Sequence, residues 1–146
     1  MNQQSVIVEA EYPVQVEKVW EALTNPDQMR QWYFDLEEFK AEPGFEFSFT
    51  GEGSQGDKYV HICRVTEVIP YQKLSYTWAY ENLPGQSHVL FELFDLGAAT
   101  RLKLTHEGLE TFPQNHPDFR RESFSGGWNE LIPVLLKKYL TGNPTV

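Results

Sequence analysis

The spacing of apolar positions changes period three times along the chain, and each change predicts a new kind of element. Over Ser5–Tyr12, Val6, Val8 and Ala10 fall on one face and Glu9 and Glu11 on the other, with Ile7 interrupting the pattern. That alternation predicts a strand. After Pro13 the period lengthens: Val16, Val19, Trp20 and Leu23 stand at i, i+3, i+4 and i+7, one stripe of an amphipathic helix. Asn25-Pro26 ends it and opens a second short helix, because Asn caps, Pro suits the first helical position and Asp27 favours the positive end. Met29, Trp32 and Tyr33 would be its buried side. From about Leu36 the period returns to two. Phe45, Phe47 and Phe49 follow the Pro43-Gly44 turn, and a polar loop spans Gly51–Gly56. A long strand runs from about Lys58 to Ile69. Leu74, Tyr76, Trp78 and Tyr80 then alternate with Ser75, Thr77 and Ala79, and beyond Pro84-Gly85 come Val89, Phe91 and Leu93. A Gly97 turn leads to Leu102, Leu104 and His106. Successive strands on short turns predict an antiparallel meander. The last third is helical again: Phe124, Trp128, Leu131, Leu135 and Tyr139 form a stripe that Ile132 and Leu136 widen. Asp118 is a start signal and Gly142-Asn143-Pro144 a stop. Strand, two short helices, a run of strands and a long helix make an α+β layout in which the final helix covers one face of the sheet.

Length and charge narrow the function. A chain of 146 residues is one domain's worth, enough to bury roughly 68–70% of its unfolded surface. No repeat, low-complexity tract or linker divides it, so residues 1–146 are expected to form one domain. Its 21 Asp and Glu against 12 Lys and Arg leave a net charge of −9. Such a surface repels phosphate backbones and anionic lipid, so nucleic acid is not an expected partner. No apolar run approaches the ~20 residues a bilayer span needs, and the first residues do not read as a signal peptide. One cysteine, Cys63, fits a reducing compartment; a cytoplasmic location is expected.

Aromatic residues make up 14% of the chain, and their placement suggests a site. Tyr76, Trp78 and Tyr80 put three amphipathic rings in a row on one strand face. Each has a polar tip that must find a partner if buried. Those tips either meet partners within an aromatic core or line a cavity where ligand or water serves them. In the final helix, Gly126-Gly127 costs about 1 kcal/mol per glycine in a helix interior, and Pro133 about 3 kcal/mol. Either the helix begins near Gly127, or the missing side chains leave room between helix and sheet. Trp32, Tyr33 and Phe34 would form a lip over one end. With Phe47, Phe91, Phe124 and Trp128 these residues form the expected lining, and His106, on the face of Leu102 and Leu104, is a candidate ligand contact. His61, His88, His106 and His116 lack metal-binding spacing, so no metal or cofactor is expected. Ser125-Gly126-Gly127 is not a nucleophile elbow, the Gly51–Gly56 loop lacks the Lys-Ser/Thr ending of a phosphate loop, and Glu37-Glu38 would face opposite ways on a strand. No catalytic residue is assigned.

Several segments resemble a known superfamily. Val14-Gln-Val-Glu-Lys-Val-Trp-Glu-Ala-Leu-Thr-Asn-Pro26 with Gln31-Trp32 is similar to the opening of START-like (SRPBCC) proteins. Val65-Thr-Glu-Val-Ile-Pro70 with Leu74-Ser-Tyr-Thr-Trp78 resembles their paired central strands. Thr100–Leu109 and Gly127-Trp128 resemble the branch related to the activator of the heat-shock protein 90 ATPase (Aha-type). The resemblance implies a helix-grip fold (the Bet v-like arrangement): a curved antiparallel sheet around a long C-terminal helix, with a cavity between them. Members bind lipids, polyketides or hormones, and some are enzymes or chaperone partners. The eukaryotic cochaperone has an additional amino-terminal domain that is not expected here, so ATPase activation is not carried over. The leading expectation is non-catalytic binding of a hydrophobic or aromatic small molecule, lipid or polyketide-like. The alternatives are a protein-interaction module, with Leu90 and Phe94 as an outward apolar pair for a homodimer or partner, and a cyclase or hydrolase using His106 as acid or base.

Overall fold

The computed structural model describes residues 5–34, 36, 38–52, 58–81, 83–113, 115 and 117–141. The first strand is β1 (Val6–Tyr12), followed by helices α1 (Val16–Thr24) and α2 (Pro26–Trp32). Five more strands follow: β2 (Glu46–Glu52), β3 (Lys58–Ile69), β4 (Lys73–Tyr80), β5 (Ser87–Asp95) and β6 (Thr100–Glu107). Among the described residues these six strands form one antiparallel sheet in the order β1-β6-β5-β4-β3-β2. A helical segment over 121–141 lies across its inner face. This is the α+β helix-grip arrangement, with the two short helices after the first strand. Among the described residues no helix is long and apolar enough to cross a membrane.

Strand alternation sets the inner wall. Val6, His106, Val89 and Tyr76 are successive cross-strand partners, and Leu104, Phe91 and Leu74 form the next row. All seven are buried, whereas Ile7, one position off this face, is 55% exposed. A slip of one residue would exchange the two sets, so burial of this face fixes the register. Asn25 accepts hydrogen bonds from the backbone N–H groups of Asp27 (2.9 Å) and Gln28 (3.2 Å), with Pro26 in the first helical turn. The capping chemistry expected for the second helix is therefore present. Trp32 donates from Nε1 to the Ala22 carbonyl at 2.9 Å, tying α2 to α1.

Three local expectations need revision. The segment expected to turn strand-like from Leu36 is irregular until β2 begins at Glu46. Buried Leu36 and Phe39 anchor it, and Arg30 donates to the Leu36 carbonyl at 2.9 Å. Glu38 is thus not on a strand, while Glu37, most of the Gly51–Gly56 loop, His116 and the Gly142-Asn143-Pro144 stop lie outside the described residues. The final helix does not begin near Gly127. Its first part, α3, spans Arg121–Glu130 and holds both glycines in its interior.

Pro133 has a structural consequence. From Leu131 to Leu136 the helix is wound as a π-turn before α4 (Lys137–Thr141) resumes the α-winding. A proline lacks the N–H of an α-helical bond and its ring crowds the carbonyl four residues back; a wider i→i+5 turn relieves the crowding and brings the next residue's N–H to that carbonyl. The widening also changes which residues are buried. An α-helix takes 3.6 residues per turn, so steps of four drift around its surface, and a turn longer than four residues drifts them back. Phe124, Trp128, Ile132 and Leu136, each four apart, are consequently all buried, while Leu131, Leu135 and Tyr139 are only partly so. The Tyr12 hydroxyl donates to the Ile132 carbonyl at 2.6 Å, fastening β1 to this turn.

Candidate functional site

A cavity of about 190 Å³ opens between α3 and the β2–β4 end of the sheet. Sheet alternation supplies one wall with Tyr59 and His61 of β3 and Trp78 and Tyr80 of β4. The other wall is Phe124, Gly127 and Trp128 of α3 with Leu131. Phe34, following α2, and the short turn carrying Asp118 and Phe119 complete the rim, with Gly51 and Ser123. The rings brace one another: Trp78 and Trp128 centroids are 5.8 Å apart, and Tyr80 and Phe119 are 5.0 Å apart. A Cβ built on Gly127 meets nothing within 4 Å. The absent side chain therefore leaves one side of the cavity open.

Few polar groups reach this space. His61 is 6% exposed and stacks on Phe49 at 4.4 Å. Its Nδ1 lies 3.1 Å from the Tyr59 carbonyl. A carbonyl only accepts, so Nδ1 carries the hydrogen and Nε2 is left as an acceptor. Burial lowers the imidazole pKa to about 4, outweighing the carbonyls of Phe49 and Tyr59, which raise it. The ring has room because residue 51 is glycine; a Cβ there would sit 2.8 Å from His61 Cε1. The Tyr80 hydroxyl accepts from Trp78 Nε1 at 2.9 Å, and Tyr59 donates to Asp118 Oδ2 at 2.9 Å. Burial raises the Tyr80 pKa, so the phenol stays protonated. Among the described lining residues there is no Lys or Arg. Among the described residues no group of three His, Cys, Asp or Glu side chains could hold a metal ion.

Beneath the cavity the polar tips answer one another. His106, fully buried on β6, accepts at Nδ1 from Trp128 Nε1 at 2.9 Å, since an indole N–H only donates. Its Nε2 therefore holds the hydrogen and donates to Ser87 Oγ at 2.6 Å. Burial, aided by the charges that His88 and His61 would carry, lowers its pKa to about 3. Both nitrogens are thus hydrogen-bonded within the core. The Tyr33 and Tyr76 hydroxyls pair at 2.8 Å, and burial raises the pKa of each. No buried side-chain nitrogen or oxygen among the described residues lacks a partner.

With this geometry in place, relatives can be considered. The family model described as activator of Hsp90 ATPase homolog 1-like protein matches residues 13–141. The chain belongs to this family. The START-like (SRPBCC) resemblance of the sequence is thereby established at family level. Among solved structures, MLL2253 from Mesorhizobium loti is 30% identical with a TM-score of 0.74, over 96% of this chain and 98% of that one. CV1439 from Chromobacterium violaceum is 20% identical with a TM-score of 0.79, over 94% and 96%. DynU16, from the dynemicin biosynthetic locus, is 22% identical with a TM-score of 0.75; the match covers 95% of this chain but 48% of DynU16. Identities this low for CV1439 and DynU16 establish the fold alone. No curated protein matches the chain.

Within this Aha-type family member, the structure divides the expected lining. Trp78, Tyr80, Phe124 and Trp128 border the cavity. Trp32, Phe47, Phe91, Tyr76 and His106 are buried in the surrounding core, and Tyr33 stacks 6.0 Å from Trp128 behind the wall. Phe34 is the part of the expected lip that reaches the rim. Tyr59, His61, Asp118, Phe119 and Leu131 also line the space without having been expected there, and Gly127 borders it as the reading of missing helix side chains anticipated. For His61 a signal was available, because alternation along β3 places it with Cys63 and Val65 on the inner face. The outward pair, Leu90 and Phe94, differs in exposure: Leu90 is half-buried, Phe94 is 36% exposed, and Arg101 stands 4.7 Å over the Phe94 ring.

Proposed function

We propose that this chain binds a small apolar aromatic molecule, without catalysis, in the cavity between sheet and C-terminal helix. The observation that carries this reading is a partly open space of about 190 Å³ walled by Phe34, Trp78, Tyr80, Phe119, Phe124 and Trp128. A dry apolar cavity of ~150 Å³ takes up benzene, whereas drug-sized ligands occupy roughly 300–1,000 Å³. One or two fused rings fit; a long acyl chain or a multi-ring polyketide would require the helix to move away. Burying roughly 200 Å² of ligand surface at ~25 cal/mol per Å² gives about 5 kcal/mol before association costs, to which ring stacking adds. DynU16, with the same fold, comes from the dynemicin biosynthetic locus, which accords with a small-molecule ligand. A cytoplasmic site of action accords with the single buried Cys63.

Emission of Trp78 and Trp128 should change on titration with one- and two-ring aromatics, and the melting temperature should rise. A Gly127→Leu variant should stay folded and lose both responses, because the new side chain grows into the cavity. If the wild-type protein shows neither response across such a panel, the binding reading fails. A protein partner at Leu90 and Phe94 has less support, since Arg101 already covers the Phe94 ring.

A further inference from the structure

We propose that the cavity selects aromatic molecules carrying a neutral hydroxyl group, which His61 Nε2 receives as a hydrogen-bond acceptor while the Tyr80 hydroxyl donates to the same oxygen. The proposal rests on the binding reading above and adds the chemistry of the polar contact. His61 is 94% removed from solvent (6% exposed), and its Nδ1 hydrogen is spent on the Tyr59 carbonyl at 3.1 Å. Among the described residues no donor is placed against Nε2, and no buried side-chain nitrogen among them goes unsatisfied. Nε2 is therefore not sealed in the core; the open space beside it is the cavity its ring lines. The glycine at position 51 keeps that ring in place, since any Cβ would approach Cε1 to 2.8 Å.

Tyr80 supplies the complementary function. Its hydroxyl oxygen accepts the Trp78 N–H at 2.9 Å, which leaves its own hydrogen to donate. The Tyr80 and His61 rings are neighbours, with centroids 4.7 Å apart, and both line the cavity. One acceptor and one donor side by side match a hydroxyl, which donates and accepts through a single atom. A carboxylate meets them badly: it offers no hydrogen to Nε2, finds no Lys or Arg among the described lining residues, and lies near the Asp118 carboxylate. A bare hydrocarbon fills the volume but leaves the ligand-facing imidazole nitrogen without a partner once water is displaced.

The test compares three probes of nearly equal size: 2-naphthol, 2-methylnaphthalene and 2-naphthoate, titrated at pH 7 by tryptophan fluorescence. The naphthol should bind at least about tenfold more tightly than the methyl analogue, as expected for two hydrogen bonds made in a buried site, and the naphthoate should bind most weakly. His61→Phe should abolish the preference while retaining methylnaphthalene binding. The ¹⁵N resonance of His61 Nε2 in the wild-type protein provides a measurement independent of how that variant folds; it should shift with naphthol and stay in place with methylnaphthalene. Equal affinities, a naphthoate that binds as well as naphthol, a preference that survives in His61→Phe, or an unmoved Nε2 resonance would each overturn the proposal while leaving apolar binding intact. Failure of all three probes to bind would instead bring down the binding reading itself.

Discussion

Acidification from pH 7 to pH 5 should cost this fold about 4 kcal/mol, because two imidazoles are buried uncharged. The folded protein holds His61 at a pKa of about 4 and His106 at about 3, burial being the leading cause for both. An unfolded chain returns each to its ordinary value of 6.5. Between those limits the unfolded state binds the proton and the native state does not, so stability is complete above about pH 6.5 and declines as the pH falls. At pH 5 the unfolded histidine lies ~1.5 pH units below its pKa, and at ~1.4 kcal/mol per unit each group contributes about 2 kcal/mol. The figure is insensitive to the folded values provided both stay below 5. Against a typical total of ~5–15 kcal/mol, this is a large share. Urea unfolding monitored at half-unit steps between pH 7 and 5 gives the free energy directly. Its slope below pH 6 should approach uptake of two protons on unfolding. NMR titration of the imidazole C2 protons should show both rings neutral at pH 5. Stability that is flat across this interval, or either ring titrating in the native protein above pH 6, would refute the argument.

Two further substitutions test the helix that closes the cavity. Gly126→Ala places a methyl group where nothing lies within 4 Å, in a helix interior. It should therefore stabilise by about 1 kcal/mol, raising the melting temperature by a few degrees in calorimetry; an unchanged or lower value would mean the glycine serves the backbone. Trp128→Phe removes the donor to His106 Nδ1 and should cost about 1–3 kcal/mol for the orphaned nitrogen alone. Denaturant unfolding of this variant at pH 7 checks it, and a loss well under 1 kcal/mol would show that the hydrogen bond contributes little.

Much of the architecture was readable as periodicity. Alternation placed Tyr76, Trp78 and Tyr80 on one face, the i, i+3, i+4 stripe placed Val16, Val19 and Leu23 in α1, and Asn25-Pro26 marked the next helix, because backbone geometry imposes these spacings locally. Length and flanking residues were weaker guides. Leu36 and Phe39 carry apolar side chains without forming a strand, since an anchor in an irregular segment has the same composition as a strand residue. Likewise Gly126 and Gly127 suggested a helix start that burial of Phe124 and Trp128 overrides, packing being worth more than ~2 kcal/mol of lost propensity.

The amino-acid order alone determined which faces are apolar, that strands precede a long terminal helix, and that aromatic rings with polar tips crowd the region between them. Only the tertiary structure decided which tips answer each other. Trp128 meets His106 across 22 residues and Tyr33 meets Tyr76 across 43, so His106 became a fastening and His61 the group left facing open space. Partner choice of this kind depends on distances set by sheet curvature, the π-turn at Pro133 and the helix position. None of these is a local property of the residues concerned.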